Sequence, residues 1–116
     1  MFVEKFNKTI FEFFRNISQV YPDMPILKEL KGKLRVALMT NESLAINNFY
    51  DHVTLKYKHQ ILKQDEEFFL SFDLSGTVLE DLNCLKDVWK QASPATKTAI
   101  WKYVKILLVL SQKYKQ

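Results

Sequence analysis

The sequence is short of the residues that bend a chain and of those that cross-link it. Its 116 residues include two glycines, Gly32 and Gly76, three prolines, Pro22, Pro25 and Pro94, and one cysteine, Cys84. A β-rich fold of this length draws on more turn residues, so their scarcity favours long helices joined by few bends. A lone cysteine excludes an internal disulfide and suits a reducing compartment. Two isolated glycines leave no glycine-rich phosphate loop. Long apolar runs are missing as well. The longest, Ile106 to Leu110, is five residues, where a bilayer span takes about twenty. The opening MFVEKFNKTI places Glu4, Lys5 and Lys8 where a secretory signal has an unbroken apolar core. The expected location is therefore intracellular, and the three Asn-X-Ser/Thr sequons at Asn7, Asn16 and Asn41 read as chance matches.

What remains is ordinary for a globular chain, with 47% apolar and 26% charged residues, so a single domain over residues 1–116 with its own core is expected. Val3, Phe6, Ile10, Phe13, Phe14, Ile17 and Tyr21 recur at three- and four-residue steps and predict an amphipathic helix over 2–21. Phe2 and Phe11 fall outside that stripe, as terminal packing or as exposed contacts. Pro22 and Pro25 end this helix and open a second, whose stripe is Ile26, Leu27, Leu30, Leu34, Ala37 and Leu38. Gly32 lies on the opposite face, where it weakens the helix. A third stripe, Ile46, Phe49, Tyr50, Val53, Tyr57 and Ile61, covers 43–63. Asp65 caps a short piece holding Phe68, Phe69 and Leu70, and Ser71 to Gly76 reads as a turn. Thr77 to Glu80 has the capping-box pattern ahead of Val78, Leu82, Leu85, Val88 and Trp89. Ser93-Pro94 is a favoured start for a last helix over 94–113. Apolar on nearly every side through Ile100, Trp101, Val104, Ile106, Leu107, Leu108, Val109 and Leu110, that helix is expected at the centre. The fold class is all-α, a compact bundle of five to six helices around the C-terminal one.

Charge is distributed unevenly along the chain. Residues 26–63 carry seven basic and three acidic groups, residues 64–92 two and seven, and residues 93–116 five and none. One reading is a solvated helical surface. Another is a nucleic-acid face built from Lys28, Lys31, Lys33, Arg35, Lys97, Lys102 and Lys105, which requires the lysines to converge. The second reading is weakened because Arg15 and Arg35 are the only arginines among 17 basic residues, and bidentate phosphate or guanine recognition favours arginine.

Catalytic signals are weak. His52 and His59 lie seven apart with no second ligand pair, so neither metal nor cofactor is expected. Asp65-Glu66-Glu67 and Glu80-Asp81 sit at helix starts, where carboxylates complement the dipole. Cys84, between Leu82 and Leu85, reads as a small core residue without an activating base. An enzyme is not expected.

The most distinctive stretch is Val88 to Val104, a helix end, a Ser-Pro cap and a new helix, flanked by Trp89 and Trp101. Tryptophans at such a corner belong to the core more often than to a ligand site, but exposed ones anchor partners. Its pattern W-K-x-x-S-x-x-x-K-x-x-I-W-K-Y, the Y-P-D break and D-E-E-F-F-L resemble small helical proteins of nucleocytoplasmic large DNA viruses. The likeness covers most of the chain, with Trp89 to Tyr103 its specific part. It implies a viral setting, in the cytoplasm or nucleus of a host cell or in the virion, and carries over no catalytic residue. The favoured function is a non-enzymatic protein–protein interaction or virion-associated role with a viral or host protein, and a homo-oligomer is open. The surplus aromatics Phe2, Phe11, Phe68, Phe69, Trp89 and Trp101 are the candidate anchors. The alternatives are a basic nucleic-acid-binding accessory protein and a helical decoy with an open groove.

Overall fold

In the first helix, α1 (Phe2–Val20), the predicted stripe turns inward: Phe6, Ile10, Phe13, Phe14 and Ile17 are buried. The computed structural model describes all 116 residues, and they form an all-α bundle. After the Pro22 break, α2 (Pro25–Thr40) starts on its proline and buries Leu27, Leu30 and Leu34. Its stripe is narrower than predicted, because Ile26 at the first turn is exposed and Ala37 and Leu38 are only half-buried.

The third predicted helix is a rod with a defect. Helix α3 (Leu44–Phe49) passes into a π turn (Tyr50–Thr54) and on into α4 (Leu55–Leu62). A π turn widens the helix by one residue, and here the successive residues Val53 and Thr54 are both buried. Thr54 Oγ1 lies 2.7 Å from Ser111 Oγ, which donates to the Leu108 carbonyl at 2.8 Å. With the Ser111 proton committed there, Thr54 is the donor of the buried pair.

Asp65 accepts the Glu67 N–H at 3.1 Å ahead of α5 (Phe68–Ser71). The following loop is held by Asn83, whose Oδ1 accepts the Leu74 N–H at 3.0 Å. The capping box at Thr77 does not form. The Thr77 N–H donates to the Leu74 carbonyl and so is not free for Glu80, while the Thr77 hydroxyl accepts from the Leu79 N–H. The segment therefore enters a 3₁₀ turn (Glu80–Cys84) before α6 (Leu85–Gln91). Ser93 caps α7 (Pro94–Lys115) as expected, accepting the Thr96 N–H at 3.2 Å.

Helix α7 packs on α1, α3, the π turn and α4, which makes it the centre of the bundle. Phe13 stacks on Tyr103 at 5.0 Å, and Asn16 donates to the Tyr103 hydroxyl. Phe6 meets Phe49, and Lys115 lies over the adjacent Tyr50. The C-terminal end of α7 thus lies beside the start of α1, and the two run antiparallel.

Candidate functional site: a basic and apolar face across α2, α1 and α7

The one interior cavity, about 20 Å³, is lined only by apolar side chains that include Phe13, Phe49, Val53 and Leu107. A space without polar partners stays dry. No three His, Cys, Asp or Glu side chains gather as a metal site would require; His52 is half-buried and His59 exposed. Burial, with Asp81 and Asp87 nearby, pushes the Cys84 thiol up to about 11, which favours its protonated form at neutral pH.

Four of the six candidate anchors belong to the core. Phe68, Phe69, Trp89 and Trp101 are all buried. Phe69 stacks on Trp89 at 4.0 Å, and the two indoles meet edge-on at 5.4 Å. The short α5 carries both phenylalanines into the corner between α6 and α7, where the aromatic area is consumed internally. Phe2 and Phe11 are half-buried and pack against that core. The anchor reading is corrected accordingly: these rings fold the protein, and only Phe11 reaches a surface groove.

The predicted lysine face is also redrawn. Lys33 pairs with Asp81 at 3.2 Å. Lys97 pairs with Glu66 at 3.4 Å and covers the Trp89 ring at 4.9 Å. Both therefore serve the fold on the far side of the bundle. A helix turns about 100° per residue, which sets Lys33 roughly opposite Lys31 on α2. Lys28 is exposed but lines no groove. Lys31, Arg35, Lys102 and Lys105 do come to one face, joined by two residues that charge counting had passed over, Lys8 and Arg15.

That face is a chain of three depressions. Between α1 and α2, a groove of about 320 Å³ is lined by Lys8, Phe11, Glu12, Arg15, Lys31 and Arg35. The Arg35 guanidinium lies 5.6 Å from the Phe11 ring centroid, a cation–π contact that orients it. Both arginines of the chain are here. Glu12 also lines the next groove, between α1 and α7, with Asn16, Ala99, Lys102, Tyr103 and Ile106. Ile106 in turn belongs to a shallow apolar patch with Lys105, Val109 and Leu110. Helix α7 is central but not buried all round: Ile106 is 38% exposed, and Val109 and Leu110 are half-exposed.

The face carries six cations against the single carboxylate of Glu12, and none of the six is in an ion pair, since the only two pairs hold Lys33 and Lys97. Sequence reasoning missed Lys8 and Arg15 because residues 1–25 carry no net charge. Their spacing, with Glu12 between them on one side of a helix, was the available signal. Compared with known proteins, the chain matches no family model, no curated protein and no solved structure. No helix is long and apolar enough to cross a membrane.

Proposed function

We propose that this is a non-enzymatic interaction protein that docks an acidic, partly apolar protein surface onto the face of α2, α1 and α7. The observation that carries the reading is continuity: unpaired cations and an exposed apolar strip share one surface, joined through Glu12 and Ile106. Protein interfaces combine an apolar centre with a polar rim. Ile106, Val109 and Leu110 offer nothing to a phosphate backbone, and Glu12 repels one. In a protein partner, Glu12 instead meets a basic side chain and adds register to the contact. With the viral resemblance of the Trp89–Tyr103 stretch, the partner is a viral or host protein, and an assembly or virion-associated role in a large DNA virus fits.

A nucleic-acid-binding role is the second reading, favoured by the six-to-one excess of cations on the face. One anisotropy experiment separates the two, using a labelled amphipathic peptide rich in Glu and Leu and a labelled DNA duplex, each at low and physiological salt. The docking reading expects the peptide to bind more tightly than the duplex. It also expects Arg15→Glu/Arg35→Glu and Ile106→Asp each to weaken the peptide about tenfold, or about 1.4 kcal/mol. Tighter duplex binding that falls steeply with salt transfers the function to nucleic acid. Peptide binding unchanged in both variants removes the face from the account.

A further inference from the structure

We infer that one partner for this face is a second copy of the same chain, added head to tail through the acidic surface of residues 64–92. The inference rests on the docking reading above and names an occupant for it. Residues 64–92 carry seven acidic and two basic groups, and with Glu66 and Asp81 already paired to Lys97 and Lys33 the remaining carboxylates are the counterpart of the six unpaired cations of the face. Glu67, Glu80 and Asp87 in that segment are exposed and lie in no ion pair. The segment also exposes an apolar side chain: Leu70 of α5 is 63% exposed and stands between Glu67 and Asp73 in the chain. Glu67 and Leu70, one helical turn apart and both exposed, with Glu80 and Asp87 exposed elsewhere in the segment, complement Lys102 and Lys105 beside Ile106, Val109 and Leu110 in charge and polarity.

The two surfaces lie on different sides of helices α7 and α2. On α7, Tyr103 meets α1 through Phe13 and Asn16, while Trp101 meets α5 through Phe69 at 4.9 Å. Two residues apart on a helix, they point about 200° from each other. On α2, likewise, Lys31 and Arg35 face the α1 groove, and Lys33 reaches the other way to Asp81 of the 3₁₀ turn. A contact between two unlike faces is heterologous. It leaves a free face at each end and allows further copies to add.

Sedimentation velocity on the full chain tests this with two charge-neutralising variants, Arg15→Gln/Arg35→Gln on the basic face and Glu67→Gln/Asp87→Asn on the acidic one. Circular dichroism melts establish that both are folded. At low salt the wild type is expected to grow beyond two chains as concentration rises and to return to one chain at high salt. Each variant retains one competent face and is expected to stay a single chain alone. Mixed together, they are expected to form a two-chain species and nothing larger. A wild type that stays a single chain at every concentration and low salt overturns the inference, as does a mixture of folded variants that fails to pair. If the wild type stays single while the acidic peptide still binds, self-association falls and the docking reading stands. Loss of both takes away the face itself.

Discussion

Single side chains in this protein divide sharply into those spent on the core and those left for contact, and substitutions report which is which. Trp101 touches Phe68, Phe69 and Trp89 and is buried. Trp101→Ala is expected to cost about 3–5 kcal/mol, as for large aromatic deletions elsewhere; a melting temperature that barely moves would place the ring outside the core. Gly32 is the opposite case. It sits exposed in the middle of α2, and a Cβ there would meet nothing within 4 Å. Gly32→Ala is expected to stabilise the protein by about 0.5–1 kcal/mol, through helix propensity and a less flexible unfolded chain. Urea melts measure it, and a destabilised variant would mean that the space around Gly32 is occupied.

Individual helices are held by a few polar contacts, and two of these make distinct predictions. The buried Thr54–Ser111 pair joins the π turn to α7. Ser111→Ala leaves the Thr54 hydroxyl proton buried without its acceptor, whereas Thr54→Val leaves Ser111 still donating to Leu108. Ser111→Ala is therefore expected to be the costlier, about 1–3 kcal/mol against about 1; the reverse order in chemical denaturation contradicts the donor assignment. In the loop before the 3₁₀ turn, Asp73 accepts from the Ser75 hydroxyl at 2.6 Å and from the Ser75 N–H at 3.0 Å. These bonds, with Asn83 and Lys86 nearby, hold its carboxyl below the ordinary value of 3.8. A depressed carboxylate stabilises the folded state fully above its unfolded pKa and loses that contribution as pH falls through the folded one. Asp73→Asn is thus expected to melt earlier than the wild type at neutral pH and level with it in strong acid. A gap that persists in acid contradicts the linkage.

The helices α1, α2 and α7 were legible because proline breaks, a Ser-Pro cap and three-to-four-residue stripes are all local signals. The π turn was not. It follows from how the α3–α4 rod must present Val53 and Thr54 to α7, a tertiary demand with no local residue code. Thr77 misled for a related reason, since the pattern matches a capping box while the Leu74 carbonyl takes the N–H that such a box requires.

On the docking reading, one side of the molecule builds the fold and another meets a partner. Its cluster of Phe68, Phe69, Phe72, Trp89 and Trp101, its only ion pairs and its loop clamps lie toward α5 and α6, while its unpaired cations and the apolar strip of Ile106, Val109 and Leu110 lie along α2, α1 and α7. Half of this surface could be read from the sequence. Segment charge pointed to Lys31, Arg35, Lys102 and Lys105, but it equally promoted Lys33 and Lys97, because a linear count cannot separate two sides of one helix. It missed Lys8 and Arg15 because Glu4, Glu12 and Asp23 cancel them in the total. The apolar strip was hidden because Ile106, Val109 and Leu110 only widen the stripe of α7 in the sequence, whereas in the fold Ile106 is exposed and the other two are half-buried, Leu110 against the core.

The claim that α2, α1 and α7 form the working face is tested most directly by amide chemical-shift mapping, with the acidic amphipathic peptide titrated into the isotope-labelled chain at low salt. Shifts concentrated around Lys8 to Asn16, Lys31 to Arg35 and Lys102 to Leu110 are the predicted result. Shifts centred on α5 and α6, or no shifts at saturating peptide, would contradict it.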